Sequence, residues 1–197
     1  STPDQLNRAE YRPLEGFVMA VTPFNFTSIA SNLNMTPVLM GNTTIWKPST
    51  TALLSNYHMM QIFMEAGLPA GVVNFLPGKG SLIGNVALNN PNLAGIHFTG
   101  STATFQGLWR GVGANIQNYK SYPRLVGETG GKDFIFAHNS AHAREVATAI
   151  VRGAFEFQGQ KCSAASRAYI PASLWNDVKQ YVGEMLSTIK MGDVTDF

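Results

Sequence analysis

Short apolar segments alternate with longer amphipathic segments along the chain, and this alternation constrains the fold more than any other feature. Apolar segments such as residues 17–21 and 72–76 end at turns, which is typical of buried strands. The amphipathic segments repeat their apolar residues at helical spacing, as Tyr57, Met60 and Met64 do. Strands that alternate with helices form βαβ units. The sequence therefore predicts an α/β fold, a Rossmann-like parallel sheet with flanking helices.

Six strands and four helices follow from this pattern. The predicted strands cover residues 17–21, 42–46, 72–76, 96–99, 124–127 and 134–137. The first predicted helix starts at a cap formed by Thr50 or Thr51, and the second runs from about residue 102 to 118. The third starts at a cap formed by Ser140 and reaches about residue 157, and the fourth follows Pro171. A glycine-rich segment at residues 127–132 comes nearest to a domain boundary.

Charge and cysteine content exclude several classes of protein. Charged residues make up 13% of the chain, about half of the ~25% usual in soluble domains. A net charge of +2 is too small to predict a nucleic-acid partner. No apolar run approaches the ~18 residues of a membrane helix. The single cysteine excludes an internal disulfide and a cysteine-rich zinc site, and we expect no metal.

The ends of the chain and its low charge favour a piece of a longer protein. The sequence begins Ser1-Thr2-Pro3 and stops at Asp196-Phe197. A surface with few charges is typical of one that faces other protein. The alternative is a natural low-charge domain from which a tag was removed. We expect the partner of this surface to be the rest of the parent chain.

Polar residues and glycines follow four of the predicted strands, at residues 22–26, 47–49, 77–80 and 99–101. Ligands of parallel α/β sheets bind at the carboxyl ends of the strands. Gly100 and Ser101 open a helix and can offer backbone N–H groups and a hydroxyl to a phosphate. Each glycine can equally be an ordinary turn residue, so the pattern predicts a crevice without identifying its ligand.

Two residues stand in settings suited to chemistry. Cys162 lies between Lys161 and Ser163 in a loop-like segment, whereas a lone cysteine is usually a small buried hydrophobe. Glu128 lies among glycines directly after a predicted strand. It is either a solvated turn residue or a general base. The four histidines show no metal-ligand spacing, and we interpret them as structural.

Five short motifs stand in order along the chain. They are Pro-Phe-Asn-Phe at residues 23–26, Trp-Lys-Pro-Ser at 46–49, Phe-Thr-Gly-Ser at 98–101, Gly-Glu-Thr-Gly-Gly-Lys at 127–132 and Gly-Gln-Lys-Cys at 159–162. In this order and spacing they resemble the aldehyde dehydrogenase family. Residues 11–17, 122–124 and 155–164 are most similar to one subgroup, which oxidises L-glutamate γ-semialdehyde to glutamate in proline breakdown. The resemblance covers the whole chain but only a central portion of the family's length.

The resemblance implies covalent catalysis. Cys162 would attack the aldehyde carbon and form a thiohemiacetal. The side-chain amide of Asn25 and the backbone N–H of Cys162 would stabilise the oxyanion. Hydride transfer to a nicotinamide would leave a thioester, and Glu128 would activate the water that hydrolyses it. Phe26 and Ser163 would contact the aldehyde substrate.

The resemblance also implies NAD as the cofactor, with NADP possible. The implied cofactor-binding residues are Thr22, Pro23, Phe24, Lys47, Pro48, Ser49, Gly78, Gly100, Ser101 and Thr104. Many NAD-preferring relatives carry a glutamate three residues after the lysine, where this chain has Thr50. Without that carboxylate, the 2′-phosphate of NADP is repelled less.

Domain organisation and setting follow from the same resemblance. Residues 1–127 would form the NAD(P)-binding domain and residues 128–197 the first part of a catalytic domain. The parent enzyme would be a homo-oligomer, located in the mitochondrial matrix of a eukaryote or the cytoplasm of a bacterium. We expect this piece alone to be weakly active or to bind nucleotide without turnover. Oxidation of another semialdehyde and a CoA-acylating reaction are the alternatives, and Glu128 argues against the second.

Overall fold

The computed structural model describes residues 2–196. The described chain divides into two compact units between Thr129 and Gly130.

The first unit is a five-stranded parallel sheet flanked by four helices. Its strands are β1 (Phe17–Val21), β2 (Thr43–Lys47), β3 (Val73–Phe75), β4 (Leu93–Thr99) and β5 (Arg124–Glu128). Its helices are α1 (Thr27–Leu39), α2 (Leu53–Glu65), α3 (Gly80–Leu88) and α4 (Thr102–Ala114). The strand order β3-β2-β1-β4-β5 is that of doubly wound dinucleotide-binding sheets. The predicted α/β fold with a parallel sheet is confirmed.

Two apolar clusters hold the helices to the sheet. One joins Met19, Ile96 and Phe98 of the central strands to α3 and α4. The other joins Trp46 of β2 to α1 and α2. The Trp46 indole N–H donates to the Thr22 hydroxyl at 2.9 Å, so the buried ring keeps its hydrogen bond. Helices therefore cover both faces of the sheet, which explains the continuous burial of β4.

Helix α1 is absent from the sequence-based prediction because polar residues interrupt its buried face. Asn34 is fully buried, donates to the Ala30 carbonyl at 2.9 Å and accepts from the Thr44 hydroxyl at 3.2 Å. Pro37 lies inside the helix and cannot donate to the carbonyl of Leu33. Nδ1 of His97, on β4, lies 3.0 Å from that carbonyl oxygen and can donate to it. Two polar contacts thus complete a helix that its apolar periodicity does not reveal.

Several predicted element boundaries were wrong. Thr50 and Thr51 lie in a short 3₁₀ turn (Thr50–Ala52), and α2 begins after it without a side-chain cap. Ser140 caps no helix, since its hydroxyl bonds to His138 and the next helix begins at Ala143. Helix α4 ends at Ala114 and is followed by a 3₁₀ turn over Ile116–Asn118. Helix α3 was not predicted.

The second unit is a smaller βαβ arrangement followed by a helix. Strands β6 (Asp133–Phe136) and β7 (Ala165–Tyr169) pair in parallel, and α5 (Ala143–Phe155) connects them. A 3₁₀ turn over Glu156–Gly159 follows α5. Helix α6 (Ala172–Ser187) packs on α5 around Val146, Ala147 and Val178. Strand β7 was not predicted, because Ser166 and Arg167 interrupt its apolar character.

Candidate active site and nucleotide cleft

The carboxyl ends of four strands of the first unit lie side by side. The register aligns Val21 with Lys47 on one side and with Phe98 on the other, and aligns Thr99 with Glu128. The backbone N–H of Thr22 donates to the Lys47 carbonyl at 3.2 Å. The backbone N–H of Gly100 donates to the Glu128 carbonyl at 3.1 Å. The segments after these strands therefore leave one edge of the sheet, as expected for a ligand-binding crevice.

A cleft of 570 Å³ lies beside this edge between α3 and α4, and we call it the helical cleft. Its lining residues are Met19, Val21, Lys47, Gly80, Ser81, Gly84, Asn85, Leu88, Thr104, Gly107 and Leu108. Glycine and serine along α3 and glycine on α4 create the space. A Cβ atom added at Gly84 or Gly107 would meet no other atom within 4 Å. Because these glycines have no side chains, the cleft contains a slot with apolar walls, which suits a flat ring.

Lys47 and Thr104 are the predicted cofactor residues that line the helical cleft within the described chain. Gly80 was expected at the crevice and lines the cleft, whereas the cleft residues further along α3 were missed, although the Gly78-x-Gly80-x-x-x-Gly84 spacing signals a glycine-rich helix start. Burial lowers the pKa of Lys47, because desolvation disfavours its ammonium form. A cation held in this partly buried place is suited to bind hydroxyl or phosphate oxygens.

Ser101 and Thr104 form the amino-terminal cap of α4. The Ser101 hydroxyl accepts from the Thr104 backbone N–H at 3.3 Å and lies 2.7 Å from the Thr104 hydroxyl. This cap fixes the first turn of α4, whose remaining backbone N–H groups favour an anion.

The other predicted cofactor residues lie outside the helical cleft. Thr22 and Pro48 are buried, and the Thr22 hydroxyl accepts from Trp46. The Ser49 hydroxyl lies 3.1 Å from that of Thr51. A Cβ atom at Gly78 would lie 3.3 Å from Ile83, so that turn packs closely on α3. Pro23 is half-buried, and Phe24 is exposed.

Asn25, Phe26 and Glu128 all belong to the carboxyl edge of the first unit. Asn25 and Phe26 are half-buried on the segment between β1 and α1, and Phe26 directly precedes α1. Glu128 is the last residue of β5 and is exposed. The Asn25 and Glu128 side chains therefore belong to segments at the same edge of one sheet, which is the edge where the sequence predicted the catalytic residues.

Cys162 lies in the second unit, in the connection between α5 and β7. We call residues 156–164 the cysteine loop. The Cys162 thiol is free and exposed, and Ser163 is exposed beside it. The Ala164 backbone N–H donates to the Lys161 carbonyl at 3.2 Å, closing a turn around the cysteine. An accessible cysteine in a tight turn is suited to act as a nucleophile.

The backbone of Gly131 lies directly against the cysteine loop. A Cβ atom at Gly131 would overlap the carbonyl oxygen of Cys162 and lie 3.3 Å from the Asp133 carboxylate. At the neighbouring Gly130 a Cβ atom would meet nothing within 4 Å. The backbone of Gly131 therefore packs directly on the backbone of the cysteine loop and helps to set its position, and only glycine permits so close a contact.

No group of three His, Cys, Asp or Glu side chains within residues 2–196 is placed to hold a metal ion. None of the helices in this described part combines the length and apolar character that crossing a bilayer requires.

The strand order and the cleft beside the carboxyl edge are those of a doubly wound α/β fold, the class of fold in which dinucleotides bind at this edge. The family model described as the aldehyde dehydrogenase family matches residues 1–197, and the chain belongs to that family.

Several proteins that are similar to this chain are named as dehydrogenases of delta-1-pyrroline-5-carboxylate. The chain is 52% identical over 193 residues to the mitochondrial delta-1-pyrroline-5-carboxylate dehydrogenase of Dictyostelium discoideum, covering 97% of this chain and 35% of that protein. It is 51% identical to a probable delta-1-pyrroline-5-carboxylate dehydrogenase of Schizosaccharomyces pombe, covering 100% and 37%. The crystal structure of the Mycobacterium tuberculosis delta-pyrroline-5-carboxylate dehydrogenase bound with NAD superposes with a TM-score of 0.93 at 58% identity, covering 100% and 37%. The chain thus spans little more than a third of the length of these relatives.

Proposed function

We propose that the full-length protein containing this chain oxidises L-glutamate γ-semialdehyde, the open form of pyrroline-5-carboxylate, to glutamate. The observation that carries the proposal is the 58% identity, over the whole chain, to a delta-pyrroline-5-carboxylate dehydrogenase. The test is an assay of the full-length protein with pyrroline-5-carboxylate and NAD, following formation of NADH and glutamate. We expect a much higher kcat/KM than with a short aldehyde that lacks the carboxylate. Equal values for the two substrates would contradict the substrate assignment.

The proposed chemistry uses Cys162, Asn25 and Glu128. The Cys162 thiolate adds to the aldehyde carbon, and the Asn25 amide with the Cys162 backbone N–H donates to the oxyanion. Loss of a hydride from the thiohemiacetal carbon, for which a bound nicotinamide would be the acceptor, leaves a thioester on Cys162. Glu128 then takes a proton from the water that attacks the thioester, which releases the carboxylate product and regenerates the thiol. Phe26 and Ser163 contact the aliphatic chain and carboxylate of the substrate.

The helical cleft fits the adenosine half of the proposed cofactor. The space above Gly84 and Gly107 admits a flat ring, and we assign Lys47, which lines the same cleft, to the ribose hydroxyls. We assign the other predicted cofactor residues at the sheet edge to the remainder of the dinucleotide. Thr50 is exposed and uncharged, so no carboxylate at that position opposes a 2′-phosphate and NADP is accepted as well.

Filling the slot is expected to block nucleotide binding without damaging the fold. Gly107→Leu places a side chain in open space on the cleft side of α4. Leucine is also a better helix former than glycine by about 1 kcal/mol. We expect the Kd for NAD, measured by calorimetry on the full-length protein, to rise at least about tenfold, because the leucine side chain occupies the space proposed for the adenosine ring.

Gly113→Leu is the matched control for this experiment. Gly113 lies on the same helix, a Cβ atom there also meets nothing within 4 Å, and it does not line the helical cleft. Its Kd for NAD should stay within about twofold of the wild type. An unchanged Kd in Gly107→Leu would place the nucleotide elsewhere.

The contact between Gly131 and the Cys162 carbonyl predicts a second sharp effect. Gly131→Ala must push the cysteine loop out of place, and a displacement of ~1 Å at a reacting group costs roughly 10² in rate. We expect kcat of the full-length enzyme to fall by about that factor. Gly130→Ala is the control, because its side chain enters open space, and its kcat should change by less than about twofold. A similar loss of kcat in both variants would show that the contact between Gly131 and the Cys162 carbonyl is not the cause.

Exposed apolar side chains such as Leu54, Leu82 and Trp109 are covered by the rest of the parent chain and by further copies in a homo-oligomer. The proposed location is the mitochondrial matrix if the source is eukaryotic, since the Dictyostelium relative is named as mitochondrial, and the cytoplasm if it is bacterial.

A further inference from the structure

The cysteine loop contains an unusual run of left-handed backbone. Phe157 and Gln158 both have φ of +54°, and Gly159 follows with φ of +68°. Residues other than glycine rarely adopt this conformation, and two in succession persist only where surrounding contacts hold them. The run ends two residues before Lys161, so whatever holds it also determines the position of Cys162.

An ion pair joins two residues that lie on either side of this run. The Glu156 carboxylate accepts from the Lys161 ammonium at 2.5 Å through Oε2 and from the Arg152 guanidinium at 3.3 Å through Oε1. The bond to Lys161, and then that to Arg152, holds the pKa of Glu156 below its usual value. The Lys161 side chain is 27% exposed, whereas that of Arg152 is 73% exposed. Lys161 is therefore the more enclosed partner of the two.

Shorter-range hydrogen bonds also lie within the cysteine loop. The Gln160 backbone N–H donates to the Phe157 carbonyl at 3.0 Å, and the Gln160 side chain donates to that of Gln158 at 3.2 Å. Both bonds connect a residue of the left-handed run to Gln160, which directly follows it. The pair Glu156–Lys161 encloses the whole run and connects the end of α5 to the residue before the cysteine.

We infer that Glu156 is a positioning residue for the nucleophile: by holding Lys161 across the left-handed run, it keeps the cysteine loop in the conformation that presents Cys162. This inference rests on the proposed function of Cys162. It also assigns the Lys161 ammonium to Glu156, so Lys161 serves the architecture of the loop and is not a free cation beside the thiol. Arg152 contacts the same carboxylate from the solvent side and is not needed for this role.

The test is a double-mutant cycle in the full-length enzyme with Glu156→Gln, Lys161→Met and their combination. Rapid mixing with NAD and aldehyde measures the rate of the first turnover. We expect each single variant to lose at least about tenfold in this rate at saturating aldehyde, with a much smaller change in KM. The combined variant should lose no more than either single one, because the two residues act as a unit. Additive losses, or a first turnover within about twofold of the wild type in Glu156→Gln, would overturn the inference.

Two further variants separate positioning from general damage. Lys161→Arg keeps a cation opposite Glu156 and should restore most of the rate lost in Lys161→Met. Arg152→Gln removes the exposed contact to the same carboxylate and should stay within about twofold of the wild type. A loss in Arg152→Gln as large as that in Glu156→Gln would show a requirement for the carboxylate cluster as a whole and would overturn the specific pairing.

A readout without substrate distinguishes failure of this inference from failure of the proposed function. Iodoacetamide alkylates Cys162 in the absence of nucleotide and aldehyde, and mass spectrometry of the peptide containing Cys162 gives the rate. We expect Glu156→Gln to raise this rate at least about threefold, because the loop opens and the thiol becomes more accessible. If the wild type oxidises no aldehyde but this rate still rises, the proposed function fails and the positioning role stands. An unchanged alkylation rate would overturn the positioning role.

Discussion

Replacing Cys162 with alanine is expected to abolish aldehyde oxidation by the full-length protein. The thiol is the atom that forms the thiohemiacetal and the thioester in the proposed reaction, and no other cysteine occurs in this chain. Removal of an enzyme nucleophile lowers kcat by a factor on the order of 10⁶ in the best-studied case, a serine protease. The measurement is NADH formation from pyrroline-5-carboxylate and NAD under saturating conditions.

Nucleotide affinity is the control for the Cys162→Ala experiment. Cys162 is not among the residues that line the helical cleft, so the Kd for NAD should stay near that of the wild type. Ser166→Ala, an exposed change on β7 close in sequence, should leave the rate unaffected. Retention of more than a few per cent of the activity by Cys162→Ala would reject the assignment of the nucleophile.

The second large effect separates Glu128 from Asn25. Glu128 is proposed to act only when water attacks the thioester, whereas Asn25 stabilises the oxyanion both when the thioester forms and when it is hydrolysed. Loss of one oxyanion donor costs roughly 10²–10³ in rate, and loss of a general base roughly 10²–10⁴. Steady-state rates of Glu128→Gln and Asn25→Ala will therefore overlap.

The first turnover distinguishes the two variants. On mixing with NAD and aldehyde, Glu128→Gln should release about one NADH per active site and then stall, because only deacylation is impaired. Asn25→Ala should slow the burst itself. Rapid-mixing absorbance of NADH, with active sites counted by titration of the reactive thiol, makes the comparison quantitative. Absence of a rapid burst in Glu128→Gln would mean that Glu128 acts earlier, in activation of Cys162, and the assigned role would be wrong.

Local sequence patterns were sufficient for most of the sheet. All six predicted strands are present, because each combines a short apolar run with a turn at its end, and both signals act within a few residues. Helix α1 escaped prediction because the buried position 34 carries an asparagine whose bonds are made to Ala30 and Thr44. A polar residue at a core position can be recognised only when its partner on another element is known.

The candidate site shows the same division. Cys162 and Glu128 were selected because their glycine-rich surroundings indicated exposed turns, and both side chains are exposed. Gly80 was expected at the crevice, but the cleft residues further along α3 and Gly107 on α4 were not selected. Gly107 and Gly113 are both glycines of α4 and cannot be distinguished from the sequence, but of the two it is Gly107 that lines the helical cleft.

The sequence by itself therefore determined the α/β class, the order of the strands along the chain, the aldehyde dehydrogenase motifs and the candidate nucleophile. These depend on periodicity, turn chemistry and spacing, which are local properties of the chain. The tertiary structure decided which glycines line the helical cleft, that Gly131 packs on the Cys162 carbonyl, and that Glu156 is bonded to Lys161 across a left-handed run. Each of these depends on which atoms lie opposite one another once the backbone has folded, because an empty space, a backbone contact or an ion pair is a property of two segments together.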